Sequence, residues 1–178
     1  MAEQIGLGVD ANPDCEALLR CLPPVSANSE QSITTIPGQG PAYAELSDLD
    51  DCDGLILGSP GYFGNMAAPL KYFLDQTSQH WLSGKLIDKP AGVFTSTSSM
   101  HGGQESVLLS MMVPLLHHGM ILSGIPYSEA SLNRTRTGAT PYGPSHVAGQ
   151  SGSDLSSDEI AACQTLGKRI SSLATKLR

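Results

Sequence analysis

The chain has 178 residues, 40% of them apolar and 15% charged, with a formal net charge of −7. That length suits a single domain, residues 1–178, with a sizeable core, and an acidic chain without a basic cluster excludes nonspecific nucleic-acid binding, which draws on dense positive charge. Cys15, Cys21, Cys52 and Cys163 form no C-x-x-C and no framework spacing, so reduced thiols are expected. With no apolar run near the ~20 residues that span a bilayer and no signal-peptide pattern, the expectation is a cytoplasmic protein without integral membrane contact.

Met1 to Val9 reads as a helix, with Ile5 and Val9 four residues apart and Gly6 and Gly8 weakening it. Asn12-Pro13-Asp14 breaks it. Cys15 to Leu22 alternates and ends at Pro23-Pro24, as a strand near a sheet edge does. Val25 to Ala44 is rich in Ser, Pro, Gly and Gln and has no periodicity; an excursion of this length in a compact domain is often functional or faces another subunit. Leu46 to Leu49 leads into Leu55-Ile56-Leu57, bracketed by Gly54 and Gly58, which reads as a strand in the middle of a sheet covered on both faces. The loop Ser59–Asn65 follows, then a helix from Met66 to Leu74.

A polar segment, Gln76 to Trp81, carries the only tryptophan. Ala91 to Thr95 is the next strand and passes into a second loop of small residues, Ser96 to Gly103. The helix Gln104–His118 is apolar on nearly all sides, which points to burial beyond its sheet face and to a subunit contact. Met120 to Ile125 reads as a strand, and Ser128 to Ser153 as a second long excursion. A last helix starts at Ser156 with Glu159 as its capping-box partner; Ile160, Cys163, Leu166, Ile170, Leu173 and Leu177 form its apolar stripe. Strands alternating with helices define an α/β domain with a mainly parallel sheet and right-handed crossovers.

The chemistry concentrates where two consecutive strands end in loops of accessible backbone. A strand, a glycine-rich loop and a helix place a ligand at the carboxyl end of a parallel sheet, and Tyr62 and Phe63 in the first loop suit the face of a flat heteroaromatic ring. Two ordinary tight connections would look the same. His117 and His118 project about 100° apart on a helix and cannot chelate one metal together. Each is either a structural histidine or a donor to the ligand, and His101 is either a further donor or solvated. Trp81, among polar residues, suits a stacking platform. Other chemistries fail on pattern: there is no G-x-S-x-G, no G-x-G-x-x-G or P-loop, and no zinc spacing.

GSPGYFGNMAAPLKYFLDQT, FTSTSSMHGGQE, PLLHHGM and ATPYGPSHVAG resemble the WrbA family from about Leu46 to the C-terminus. The resemblance implies a flavodoxin-like doubly wound parallel sheet in the order 2-1-3-4-5 and a homotetrameric NAD(P)H:quinone oxidoreductase with bound FMN. It also implies two-electron, ping-pong reduction of quinones, the flavin supplying the organic chemistry. On matching positions, Pro60, Gly61, Tyr62, Phe63 and Asn65 stand at the first flavin-ring loop, with Gly61 and Tyr62 replacing the usual Thr-Arg. Ser96, Thr97, Ser98, Ser99, Met100, His101 and Gly102 stand at the second. His117 matches the histidine near the flavin pyrimidine, expected to steady charge on the reduced ring, and Trp81 matches the aromatic lining of the nicotinamide and quinone pocket at a subunit contact.

One departure accompanies the match. The family begins with a strand and a Ser/Thr-rich phosphate loop, a backbone nest and helix N-terminus for the FMN phosphate, ahead of the helix on which this sequence opens. Removing that internal strand leaves two hydrogen-bonding edges and an apolar trough, and puts FMN affinity in doubt. The alternative expectation is an FMN-deficient, truncated homologue acting as an oligomerising or interaction subunit without catalysis.

Overall fold

The computed structural model describes residues 1–26 and 37–178. Residues 27–36 of the first expected excursion lie outside the described residues. In chain order the elements are α1 (Ala2–Val9), α2 (Asp48–Asp51), β1 (Leu55–Tyr62), β2 (Asn65–Met66), α3 (Ala68–Asp75), α4 (Ser78–Leu82), β3 (Pro90–Thr97), α5 (Gln104–His117), β4 (Ile121–Leu122), α6 (Ser131–Arg134), β5 (Ser145–Val147) and α7 (Ser157–Leu177).

The sheet follows the order β2-β1-β3-β4, with β5 also on β3. β3 pairs in parallel with β1 from Leu55↔Ala91 to Pro60↔Ser96, and on its other side with β4 at Pro90↔Ile121 and β5 at Thr95↔Ser145. β4 and β5 thus share one lane, interrupted by the second excursion, which also holds α6. The expected strand Met120–Ile125 contracts to Ile121–Leu122 because its continuation in the sheet comes from β5.

Alternation along the strands separates two cores. Leu57, Ala91 and Val93 face α3 and α5 and pack with Leu70, Val107, Leu108, Met111 and Leu115. Ile56 and Phe94 face the other way, onto Ile5, Cys163, Leu166 and Ile170 of α1 and α7. The helix pair closes to backbone contact: a Cβ on Gly8 would stand 2.3 Å from the Gln164 carbonyl, and one on Gly167 2.2 Å from that of Ile5. The two glycines that weaken α1 locally are therefore compatible with it, since one of them is what lets it dock. The capping box forms, with Ser156 and Glu159 exchanging bonds, and of the expected stripe Cys163, Leu166 and Ile170 are buried while Leu177 is exposed.

Three expectations change. First, β3 rather than β1 is the covered middle strand. β1 has β3 on one side and, along Leu55–Ser59, no strand on the other among the described residues. Second, Cys15–Leu22 is extended, with alternating exposure as far as Cys21, yet among the described residues it makes one bridge only, Cys21↔Tyr43. A strand needs a partner about 4.8 Å away, and between this stretch and β1 lies a cavity of about 1160 Å³ instead. Third, Asn65–Met66 pairs back on Gly61–Tyr62 as β2, so the helix starts at Ala68, and Ser78–Leu82 of the polar segment forms α4.

Candidate active site

The first loop is tighter than its sequence suggests. β1 continues through Ser59, Pro60 and Gly61 to Tyr62 and turns in two residues, Phe63 and Gly64, with φ of +51° and +75°. Two consecutive positive φ values are what a type I′ hairpin requires. A bulky residue rarely occupies that region, and here it places the Phe63 ring fully in solvent, with Tyr62 exposed beside it. Ser59 buttresses the turn: its hydroxyl donates to the Pro60 carbonyl at 2.8 Å and accepts the Ala67 N–H at 2.8 Å. Met66 N–H donates to Asn65 Oδ1, leaving the Asn65 amide group exposed.

The second loop sits directly against the first. A Cβ on Gly103 would lie 3.0 Å from Gly64 Cα, and Gly103 takes φ of +80° to enter α5. Of the expected second-loop residues, Ser96 and Thr97 belong to β3. The buried Thr97 hydroxyl is committed, donating to the Ser99 carbonyl at 2.8 Å and accepting from Gln104 Nε2 at 3.1 Å. Ser98, Ser99, Met100 and His101 are exposed, and the hydroxyls and the imidazole have no hydrogen-bond partner among the described residues. Gly102 N–H closes the turn on the Ser99 carbonyl. Pro60, Gly61, Tyr62, Phe63, Asn65 and Ser96 to Gly102 are therefore gathered at the carboxyl ends of β1 and β3.

His117 and Trp81 are not. α5 leaves the second loop and runs 14 residues to His117, about 21 Å, ending beside the amino end of β3, where Asp88 N–H donates to the Gly119 carbonyl. α4 is at this same end, tied by the 2.8 Å contact of Thr77 Oγ1 with His118 Nε2. Trp81 and His117 are both exposed here, and so are Leu109, Val113 and Leu116, spaced four and three residues apart on the outer face of α5. The apolar character of α5 thus divides into a buried sheet face and an exposed stripe.

Residues not singled out in the sequence hold the second loop in place. Gln104, buried at the start of α5, donates from Nε2 to Thr97 Oγ1 and to the His146 carbonyl at 3.0 Å, and accepts the Ser145 hydroxyl at 2.8 Å. His146 Nδ1 lies 3.1 Å from Glu159 Oε1 and Nε2 lies 3.0 Å from the Ser153 carbonyl. Burial alone would raise the Glu159 pKa, but the Ser156 N–H, His146 and the Gly138 N–H together hold it below the ordinary carboxylate value. In the sequence, the capping-box spacing marks Glu159, while Gln104, Ser145 and His146 fall inside the runs FTSTSSMHGGQE and ATPYGPSHVAG without any role being read for them. Cys163, by contrast, is pushed up to about 11 by burial and is a packed thiol.

A parallel sheet between helical layers, with paired small-residue loops and exposed aromatics above the carboxyl ends of adjacent strands, defines a flavodoxin-like α/β protein. The fold overlays the crystal structure of the flavodoxin, WrbA-like protein from Agrobacterium tumefaciens with a TM-score of 0.56 and 25% identity, over 74% of this chain and 72% of that one. Residues 19–130 match the family model described as NADPH-dependent FMN reductase, and the chain belongs to that family. It is 37% identical to an NAD(P)H dehydrogenase (quinone) of Solidesulfovibrio magneticus, across 100% of this chain and 92% of the relative. It is 38% identical to one of Geobacter sulfurreducens, across 99% and 91%.

Proposed function

We propose that this protein is an FMN-dependent NAD(P)H:quinone oxidoreductase. The observation that carries the reading is the contact of the two loops through Gly64 and Gly103, which sets Tyr62, Phe63 and the unpartnered polar groups of Ser98, Ser99 and His101 around one surface. The chemistry of that surface fits a flat heteroaromatic ring: aromatic faces on one side, hydroxyl and backbone donors on the other. The fit is to the ring half of the cofactor, and the described residues hold no counterpart of the Ser/Thr-rich phosphate loop. When bound, the flavin supplies hydride acceptance from NAD(P)H and two-electron delivery to a quinone, in successive occupancies of one slot. The chain's own part is positional. Tyr62 and Phe63 cover a ring face and exclude water, and the second loop offers donors to the ring's polar edge.

The separation of Trp81 and His117 from these loops supports completion of the slot between copies. In this reading Trp81 and His117 of one protomer close over Tyr62 and Phe63 of another, as in a homotetramer, and His117 steadies negative charge on the reduced ring. The exposed stripe Leu109, Val113 and Leu116 next to them is the apolar surface such a contact would cover.

Two measurements test this. Purified protein, incubated with excess FMN, should turn yellow and reduce a quinone with NADH or NADPH; a colourless, inactive protein after that treatment overturns the reading in favour of a flavin-deficient interaction subunit. Mixed assemblies of Phe63→Ala and Trp81→Ala variants, each nearly inactive alone, should recover a fraction of wild-type activity, because some slots inherit both native halves. Absence of recovery in verified mixed oligomers would place both halves in one protomer.

A further inference from the structure

His146 of β5 is 8% exposed, and each of its ring nitrogens faces an oxygen. Nδ1 lies 3.1 Å from Glu159 Oε1 and Nε2 lies 3.0 Å from the Ser153 carbonyl. Neither oxygen has a proton to give. A carbonyl only accepts. Burial works to protonate Glu159, but the Ser156 N–H, His146 and the Gly138 N–H outweigh it and hold the carboxylate. A neutral imidazole carries one N–H and can donate to one of these oxygens, whereas the imidazolium donates to both. The two contacts together are the geometry of the doubly protonated ring. The Ser153 contact closes a short strap. Residues 148–153 turn back through Gly149 and Gly152, at φ of +68° and +74°. Ser153 N–H donates to the Ala148 carbonyl at 2.7 Å and its hydroxyl to the Val147 carbonyl at 2.9 Å. Gly149 to Asp154 are exposed, so the imidazole is the buried anchor of a solvated segment. The strap adjoins the second loop, because Val147 pairs with Thr97 and Ala148 N–H donates to the Thr97 carbonyl at 2.8 Å.

We propose that His146 is a positioning residue that works as a proton-operated latch: as the imidazolium it ties the strap, residues 148–153, to α7 beside the second loop, and on losing a proton it releases the strap. The proton leaves from Nε2 to solvent. Glu159 keeps the remaining N–H on Nδ1, because a hydrogen bond to a charged acceptor is roughly twice as strong as one between neutral groups. The Nε2 lone pair then faces the lone pairs of the Ser153 carbonyl, and the contact becomes repulsive. The ring cannot follow the strap outward, since Gln104 Nε2 holds the His146 carbonyl at 3.0 Å.

The neighbouring ionisable groups leave the switch to this ring. Among the described residues, Glu159 is the one in hydrogen-bond or ion-pair contact with it. On α7, Asp158 is paired with Arg134 of α6, and Cys163, one turn beyond Glu159, is a neutral thiol pushed up to about 11 by burial. Asp154 at the end of the strap, and His101 and Glu105 around the second loop, are exposed to solvent. Glu159, held below the ordinary carboxylate value, stays ionised at neutral pH. The latch does not depend on the flavin reading above. Its consequence for a ligand rests on that reading: an open strap frees the Thr97 end of the second loop and weakens its hold on the ring's polar edge.

The test follows the full chain by NMR against pH. Long-range correlation of the His146 ring reads which nitrogens carry protons, and the exchange protection of the Ser153 amide, corrected for its intrinsic rate, reads the strap. With both nitrogens protonated the amide should be protected. Protection should fall at least about tenfold as the ring loses a proton, with a midpoint that coincides with the ring's own. His146→Gln keeps a donor near the Nε2 position and should hold the amide protected throughout. His146→Asn keeps one near Nδ1 only and should leave it open throughout. Protection that ignores the ring's titration, a neutral ring with the strap closed, or a His146→Gln variant that titrates like the parent overturns the proposal. FMN affinity, read by flavin fluorescence, should weaken several-fold more in the parent than in His146→Gln over the same range. An equal loss in both overturns the link from latch to loop. Failure of either to bind FMN while the strap titrates as expected overturns the flavin reading and supports the latch.

Discussion

His118 donates its Nε2–H to the hydroxyl of Thr77 at 2.8 Å, because the only proton of that hydroxyl goes to the Leu74 carbonyl at 2.7 Å. This relay sets the tautomer of a buried imidazole and leaves its Nδ1 without a partner among the described residues. Thr77 is also the residue from which α4 starts, so the bond ties the helix bearing Trp81 to the end of the helix bearing His117. Thr77→Val keeps the shape but strands the Nε2–H, and should destabilise the fold by about 1–3 kcal/mol. Urea denaturation gives the loss, and the Trp81 emission of the folded state should shift as α4 loosens; an unshifted spectrum would mean that α4 is held by other contacts.

The same site predicts a pH dependence. Burial first, then the neighbouring charges of His80 and His117, hold the His118 pKa below the ordinary histidine value. For a base with a depressed folded-state pKa, the unfolded chain takes up the proton first as pH falls. Stability is therefore full above the unfolded value of about 6.5 and declines below it, until the folded-state pKa is passed. The melting temperature should fall as pH drops below about 6.5, and His118→Gln should remove that part of the slope. The depressed Glu159 pKa adds a separate decline at lower pH, as its carboxylate is protonated and its bonds to the Ser156 and Gly138 N–H groups are lost.

Phe63 holds a positive φ while its ring is in solvent, a conformation that costs an L residue about 1–2 kcal/mol. Strain retained at an exposed position is a signature of a functional site. Phe63→Asn, which tolerates that conformation, should raise stability by about 1 kcal/mol and lower quinone reductase activity. A variant that is less stable, or as active as the parent, contradicts the assignment.

Gln104→Leu should be the most damaging substitution near the second loop. It removes donors from Thr97 Oγ1 and the His146 carbonyl and the acceptor of the Ser145 hydroxyl, for an expected loss of about 2–4 kcal/mol. Because Thr97 also anchors the Ser99 carbonyl, flavin affinity should fall together with stability. Gln104→Glu, which keeps the acceptor and loses the donors, should fall between the two in denaturation.

Much of the architecture was legible locally. Ala91–Thr95 is an apolar run between turn signals, Ser156 and Glu159 carry a capping box, and the apolar residues of α7 recur at helical spacing. Each of these depends on neighbours in sequence. Where partners are distant the reading slipped. Cys15–Leu22 alternates like a strand because its side chains do face in and out, but a ladder also needs an adjacent edge, and alternation does not report one. Ser59–Tyr62 reads as loop from its Gly and Pro, yet pairing with Ser96 and Met66 holds Pro60 and Gly61 in β1.

By itself the sequence determined the α/β class, the two small-residue loops that follow β1 and β3, and the relationship to a flavin-dependent family, because these lie in contiguous runs whose residue types carry their own conformational preference. Only the tertiary structure decided that His117 and Trp81 stand a sheet's length from Tyr62 and Phe63, that Gln104 and Glu159 anchor the second loop, and that β1 along Leu55–Ser59 has no second strand neighbour among the described residues. Those facts depend on which end of a helix meets which end of a strand, and contact between distant segments leaves no periodicity in the chain to read.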